Sequence, residues 1–149
     1  GISISDDQVR EFYDENKDNL VEINASHILL GSEEDALSIV ERLDGGEDFA
    51  QLATTESLDS VSAVNGGNLG YFGKGQMIPE FEEVAFQLNE GEISDVVRTE
   101  VGFHIIKVQD KRESLEELKD KVNALIMEEE YYEYVQGLKN AATIKTYLD

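Results

Sequence analysis

Hydrophobic positions along this chain change their period several times, and each change marks an element. Ser5 and Gln8 form a capping box, with Val9, Phe12 and Tyr13 following at helical spacing, so residues 5–19 read as a helix. From Val21 the period drops to two. Val21, Ile23, Ala25, His27 and Leu29 share one face of a predicted strand, and Glu22, Asn24 and Ser26 share the other. Ser32 then caps a helix whose stripe is Ala36, Leu37, Val40 and Leu43, closed by Gly45-Gly46, and Asp48 with Gln51 opens a shorter helix through Phe49, Leu52 and Ala53. Residues 57–68 are small, polar and glycine-containing, and read as a loop. A short strand, Leu69 to Phe72, follows.

Pro79, the single proline, stands where the first position of a helix would fall, with Phe81, Val84, Ala85 and Leu88 at helical spacing behind it and Asn89-Glu90-Gly91 ending the run. Two further strands are predicted, Ser94 to Arg98 and Phe103 to Gln109, joined by a turn over Thr99–Gly102; in the second, His104, Ile106 and Val108 share a face. Ser114 and Glu117 make another capping box. It opens a long helix carrying Leu115, Leu118, Val122, Leu125 and Ile126, then Val135 and Leu138, with Glu129 breaking the stripe and predicting a bend or a change of packing partner. The predicted order β-α-α-β-α-β-β describes an α+β domain, residues 21–112, built on a four-stranded, mostly antiparallel sheet. A helix in residues 1–20 and a long helix with its tail in residues 113–149 flank it.

Charge narrows the function. The chain carries 33 acidic and 12 basic side chains, a formal net charge of -21, spread along the whole length rather than gathered in a tail. Binding to nucleic acid or to anionic lipid rests on Lys and Arg neutralising phosphates, so neither partner is expected. Cysteine is absent, which removes disulfides, thiolate metal sites and a Cys nucleophile. Apolar runs are far shorter than the ~20 residues of a membrane span. The chain opens on Gly1 rather than Met and is expected to be an excised piece of a longer protein.

Both histidines fall on the apolar, inward faces of their strands, where two rings on different strands of one sheet can meet in a tautomeric relay that orients a polar group. A metal there would need a third ligand, for which Asp59 is the obvious candidate; neither a metal nor a cofactor is expected.

The run GGNLGYFGKGQMIPEFEEVAFQL at residues 66–88, with ASHILL at 25–30, DFAQLA at 48–53 and VGFHIIKV at 101–108, resembles the parvulin family of peptidyl-prolyl cis-trans isomerases. The resemblance covers residues 25–112 in order and spacing. The helical flanks and the closing run ATIKTYL are similar to the extracytoplasmic foldases and chaperones of the SurA, PrsA and PpiD kind. This implies a proline pocket at Leu69, Met77 and Phe81, with Phe103 closing its edge, beside the paired histidines His27 and His104. The family's Cys-or-Asp position falls on Asp59. The Ser that some members carry three residues before the second His is Val101 here, while Thr99 is kept as the hydroxyl available to the pair. Some relatives hold a phosphate with a basic cluster after the first strand. Here that loop reads Gly31-Ser32-Glu33-Glu34-Asp35, which repels phosphate, so no phosphopeptide preference is expected.

The resemblance therefore implies a rotamase that assists the folding of proline-containing, unfolded or extended polypeptides in the periplasm or cell envelope, within a full-length protein that a membrane anchor would suit. Asp59 is expected to act either as a charge against the substrate carbonyl or, with its pKa raised by burial, as a proton donor; a nucleophilic role lacks an activating base. The alternatives are a peptide-binding chaperone module with this fold and little catalysis, and an acidic interaction domain indifferent to proline.

Overall fold

The structure, a computed structural model, describes residues 3–148 and the side chains of residues 3–140. Gly1 and the side chains of the ATIKTYL run lie outside that description. Two compact units emerge, one spanning Val21–Arg112 and the other made of the segment through Leu20 together with the segment from Glu113 onward.

In the first unit, β1 (Glu22–Leu30) is followed by α2 (Glu33–Asp44), α3 (Phe49–Glu56), the single-turn α4 (Ser60–Ala63), β2 (Asn68–Gly73), α5 (Pro79–Gln87), β3 (Val97–Thr99) and β4 (Gly102–Arg112). The sheet order is β2-β1-β4-β3, and every pairing is antiparallel. β1 and β4, both central, are buried on two faces. On one side Ile23, Ala25, Phe72, Ile106 and Val108 pack with Phe81 and Ala85 of α5 and with Leu88 just past its end; on the other Ile28, Leu30 and Ile105 pack with Ala36 and Ile39 of α2 and Phe49, Leu52 and Ala53 of α3.

That second core is the main departure from the predicted pattern. The face of β1 expected to be polar carries Asn24 and Ser26 at its start but Ile28 and Leu30 further on, because α2 and α3 cover only that half. In α2 the core positions are Ala36 and Ile39, while Leu37 is 51% exposed. β3 begins three residues later than expected and takes in Thr99, which the sequence pattern places in the turn. Ser32 and Asp48 accept the capping bonds from Asp35 and Gln51 as predicted, and the acidic residues of the Gly31–Asp35 loop form the first turn of α2, where its dipole favours them.

In the second unit α1 (Asp6–Leu20) packs on α6 (Leu115–Leu148) through Val9, Leu20, Leu118, Val122 and Ile126. Helix α6 runs unbroken past Glu129. What changes there is burial: Tyr131, Tyr132, Tyr134 and Leu138 are exposed.

Candidate active site

Antiparallel pairing sets His27 opposite Ile106 and His104 opposite Leu29, so the two histidines are diagonal neighbours on one sheet face, a spacing that aromatic side chains bridge. Their rings lie nearly parallel with centroids 5.2 Å apart, and the two Nδ1 atoms are 3.0 Å apart. Phe81 stands edge-on to both, 5.7 Å from the His27 ring and 5.4 Å from the His104 ring. Both histidines are buried.

The remaining ring nitrogens are also engaged. His27 Nε2 lies 2.7 Å from Asp59 Oδ2, and His104 Nε2 lies 2.6 Å from Thr99 Oγ1. With both rings neutral and Asp59 ionised, one proton arrangement satisfies every contact: Thr99 donates to His104 Nε2, His104 Nδ1–H donates to His27 Nδ1, and His27 Nε2–H donates to the Asp59 carboxylate. At the Thr99 end the Val101 amide donates to Thr99 Oγ1 at 3.3 Å, which leaves the hydroxyl proton for His104.

Protonation follows the same direction. The Ser62 hydroxyl first, and His27 second, hold the Asp59 carboxyl down to about 2 against the opposing effect of its partial burial. The expectation that burial would raise its pKa and make it a proton donor is therefore corrected: donated hydrogen bonds outweigh desolvation at a side chain still 26% exposed. Burial, and then the neighbouring His27, push His104 down to about 4, so it is neutral at physiological pH. Among the described residues no group of three or more His, Cys, Asp or Glu is arranged to hold a metal ion.

Beside the relay opens a pocket of about 390 Å³. His27, Asp59, Ser60 and His104 supply its polar wall, and Leu29, Leu58, Leu69, Met77, Ile78, Phe81 and Val101 its apolar one. Leu69, Met77 and Phe81 thus meet the histidine pair and Asp59 around one cavity. Phe103 does not join them. It projects from the opposite face of β4, against the core formed with α2 and α3; strand parity puts it on the other side from His104. Leu29, Leu58, Ile78 and Val101 line the pocket although sequence reasoning did not select them. Leu58 carried a signal, being the largest apolar residue inside a small, polar stretch, and it is 64% exposed. Ser57 and Ser62, which hold the Asp59 backbone and carboxylate, carried none.

A concave apolar pocket wide enough for a small ring, with a buried polar relay along one wall, has the chemistry to hold a compact apolar group beside a fixed charge. Comparison with known proteins names the class. The PPIC-type PPIase domain matches over residues 11–112. The foldase protein PrsA of Halalkalibacterium halodurans is 46% identical over 129 residues, covering 87% of this chain and 39% of that protein. The crystal structure of the peptidylprolyl isomerase PrsA from Bacillus anthracis superposes with a TM-score of 0.63 at 40% identity, over 84% of this chain and 56% of that one. A chain from the two SurA-like chaperones of Campylobacter jejuni, the virulence factor PEB4 and the periplasmic protein Cj1289, gives 0.60 at 31% identity over 97% of this chain and 63% of that one. The chain belongs to the PPIC-type, or parvulin, peptidyl-prolyl isomerases, a family of rotamases. It spans about two fifths of the length of the curated relatives it matches.

Proposed function

We propose that the unit Val21–Arg112 isomerises Xaa-Pro bonds in unphosphorylated, unfolded or extended polypeptides outside the cytoplasm, as the isomerase segment of a longer foldase whose chaperone region includes the helices on either side. The observation that carries this reading is the meeting of the His27–Asp59 pair with Leu69, Met77 and Phe81 around one cavity.

The Xaa-Pro bond turns over a barrier of ~18–20 kcal/mol, and bringing that to milliseconds requires removing about 5–6 kcal/mol at ~1.36 kcal/mol per decade. Leu69, Met77 and Phe81 hold the pyrrolidine ring still while the preceding carbonyl swings. The apolar wall strips water from the amide, and the resonance that stiffens the C–N bond is weakened where the carbonyl loses its hydration. The ionised Asp59 at the polar edge opposes the negative oxygen of the planar amide more than that of the twisted one, whose charge separation is smaller. That difference is the differential binding that lowers the barrier. The relay keeps Asp59 fixed and charged, so it need not reorganise during rotation. No bond to the protein forms.

The test is two-dimensional exchange NMR on an Ala-Pro peptide. Exchange between cis and trans peaks is expected with the wild-type chain and not with Met77→Ala/Phe81→Ala. Binding without exchange would favour the chaperone-module reading, and turnover of a phosphoserine-Pro peptide about tenfold above Ala-Pro would overturn the argument from the acidic loop.

A further inference from the structure

Asp59 occupies the N-cap position of α4, where a free carboxylate turns onto the open amides of its own helix. It is instead aimed at His27. The group that holds it there is Ser62, one turn along, whose Oγ donates to Asp59 Oδ2 at 2.7 Å, the same oxygen that His27 Nε2 reaches. Ser62 is itself 4% exposed and fixed by its backbone: its carbonyl accepts from the Asn65 amide at 2.9 Å and from the Gly67 amide at 2.8 Å. Gly67 in turn accepts from the His27 amide at 2.9 Å. The contacts close a ring, from the His27 amide to Gly67, to Ser62, to Asp59, and back to the His27 imidazole. Ser57 steadies it from outside, its Oγ accepting from the Leu29 amide at 3.0 Å and the Asp59 amide at 3.3 Å.

We propose that Ser62 is a positioning residue of this site: its hydroxyl holds Asp59 as the acceptor for His27 and thereby fixes the direction of the whole histidine relay. The two possible directions differ in what Asp59 must be. If it accepts, protons point from Thr99 toward Asp59; if it donates, every proton in the chain reverses and Thr99 becomes the acceptor. A hydroxyl that donates to Oδ2 stabilises the ionised carboxylate and so favours the first. The Val101 amide aimed at Thr99 Oγ1 supports the same direction from the far end. Removing the Ser62 hydroxyl takes away one of the two donors that hold Oδ2, frees the carboxylate to turn from His27 Nε2–H toward the amides of α4, and lets the two rings sample both tautomers.

Only the kinetic arm of the test rests on the isomerase reading. Nitrogen-15 spectra of the imidazoles and the exchange protection of the His27 Nε2 proton are measured in the full chain for wild type, Ser62→Ala and Ser62→Cys, the last keeping the volume with a weaker donor. The wild type is expected to show one tautomer per ring and a protected Nε2 proton. Ser62→Ala is expected to show averaged ring shifts, loss of that protection and a fall of about tenfold in kcat/KM, the size of one hydrogen bond to a charged group. Ser62→Cys falls between, and is read alone if Ser62→Ala does not fold. Wild-type tautomers and protection in the substituted chains overturn the proposal whatever the rate does. Absence of turnover in the wild type overturns the isomerase reading and leaves the spectra to decide the role of Ser62.

Discussion

Gly67 is where a single methyl group would test how the site is held. Its φ is +84°, a left-handed conformation that costs an L-residue about 1–2 kcal/mol. A Cβ there would also lie 2.3 Å from the His27 carbonyl oxygen and 3.0 Å from the Ala53 Cβ, roughly 1 Å inside ordinary contact with a strand that cannot yield without moving His27. Overpacking of this kind adds about 1–3 kcal/mol, so Gly67→Ala is expected to destabilise by about 2–5 kcal/mol. Gly70 supplies the control. Its φ is +76°, yet a Cβ would meet nothing within 4 Å, so Gly70→Ala pays only the conformational cost. With a urea slope of about 2 kcal/mol per molar, Gly67→Ala should unfold at a midpoint about 0.5–1.5 M below Gly70→Ala by far-UV circular dichroism. At equal folded fraction, prolyl-peptide exchange should fall in Gly67→Ala because the His27 carbonyl, and with it the ring, is displaced. A midpoint for Gly67→Ala at or above that of Gly70→Ala would refute the claim that close packing of Gly67 on β1 sets the position of His27.

Two further outcomes are expected. On acidification, His104, whose folded pKa of about 4 lies below its usual 6.5, favours the unfolded state as pH falls from 6.5 to 4, and Asp59, held at about 2 against a usual 3.8, does so from 3.8 to 2. Both bind more protons when unfolded, so stability must rise with pH through each window, by at most ~1.36 kcal/mol per unit for each group; a Thr99→Val/His104→Phe chain whose urea midpoint still falls as steeply between pH 6.5 and 4 would remove His104 as the cause. Asp59→Asn should lower kcat/KM by the equivalent of about 1–3 kcal/mol, because it removes the charge at the end of the relay while keeping the shape, and wild-type turnover in Asp59→Ala at constant folded fraction would leave the apolar pocket and histidine pair as the whole site.

The strands and the meeting of the two histidines were legible because period-two alternation assigns faces whatever the tertiary partner is. The same alternation also excluded Phe103 from the pocket, since consecutive residues of a strand cannot share a face, and the family pattern overrode that evidence. The second core was hidden for a different reason. Ile28 and Leu30 stand on the face that begins with Asn24 and Ser26, and only the landing of α2 and α3 on half the strand makes one face polar at one end and apolar at the other. Leu37 and Ile39 flank the Ala36, Val40 and Leu43 stripe from opposite sides of α2, and which of them is buried depends on the angle at which α2 meets the sheet. The α4 turn, four residues long, is too short to show any period.

Burial explains why the two ends of the relay must come from segments without periodic signal. Two imidazoles below the surface present four ring nitrogens, and each left unpaired costs about 1–3 kcal/mol. The histidines satisfy two of these on each other. The other two point outward along the sheet face, one to the edge where β3 ends and one to the segment crossing from α3 to β2, so their partners have to be supplied by Thr99 and Asp59. Among the described residues no buried side-chain nitrogen or oxygen lacks a partner, which is the state that closure produces. A substitution that deletes the acceptor at Asp59 or the hydroxyl at Thr99 therefore leaves a buried ring nitrogen unpaired. Thr99→Val, which keeps the shape and deletes the hydroxyl, is expected to weaken the chain even though Thr99 does not line the pocket. Its effect should appear first as averaged His104 tautomers and only then as lost turnover, whereas a lost pocket contact would change peptide affinity and leave the imidazole spectra as they are in the wild type.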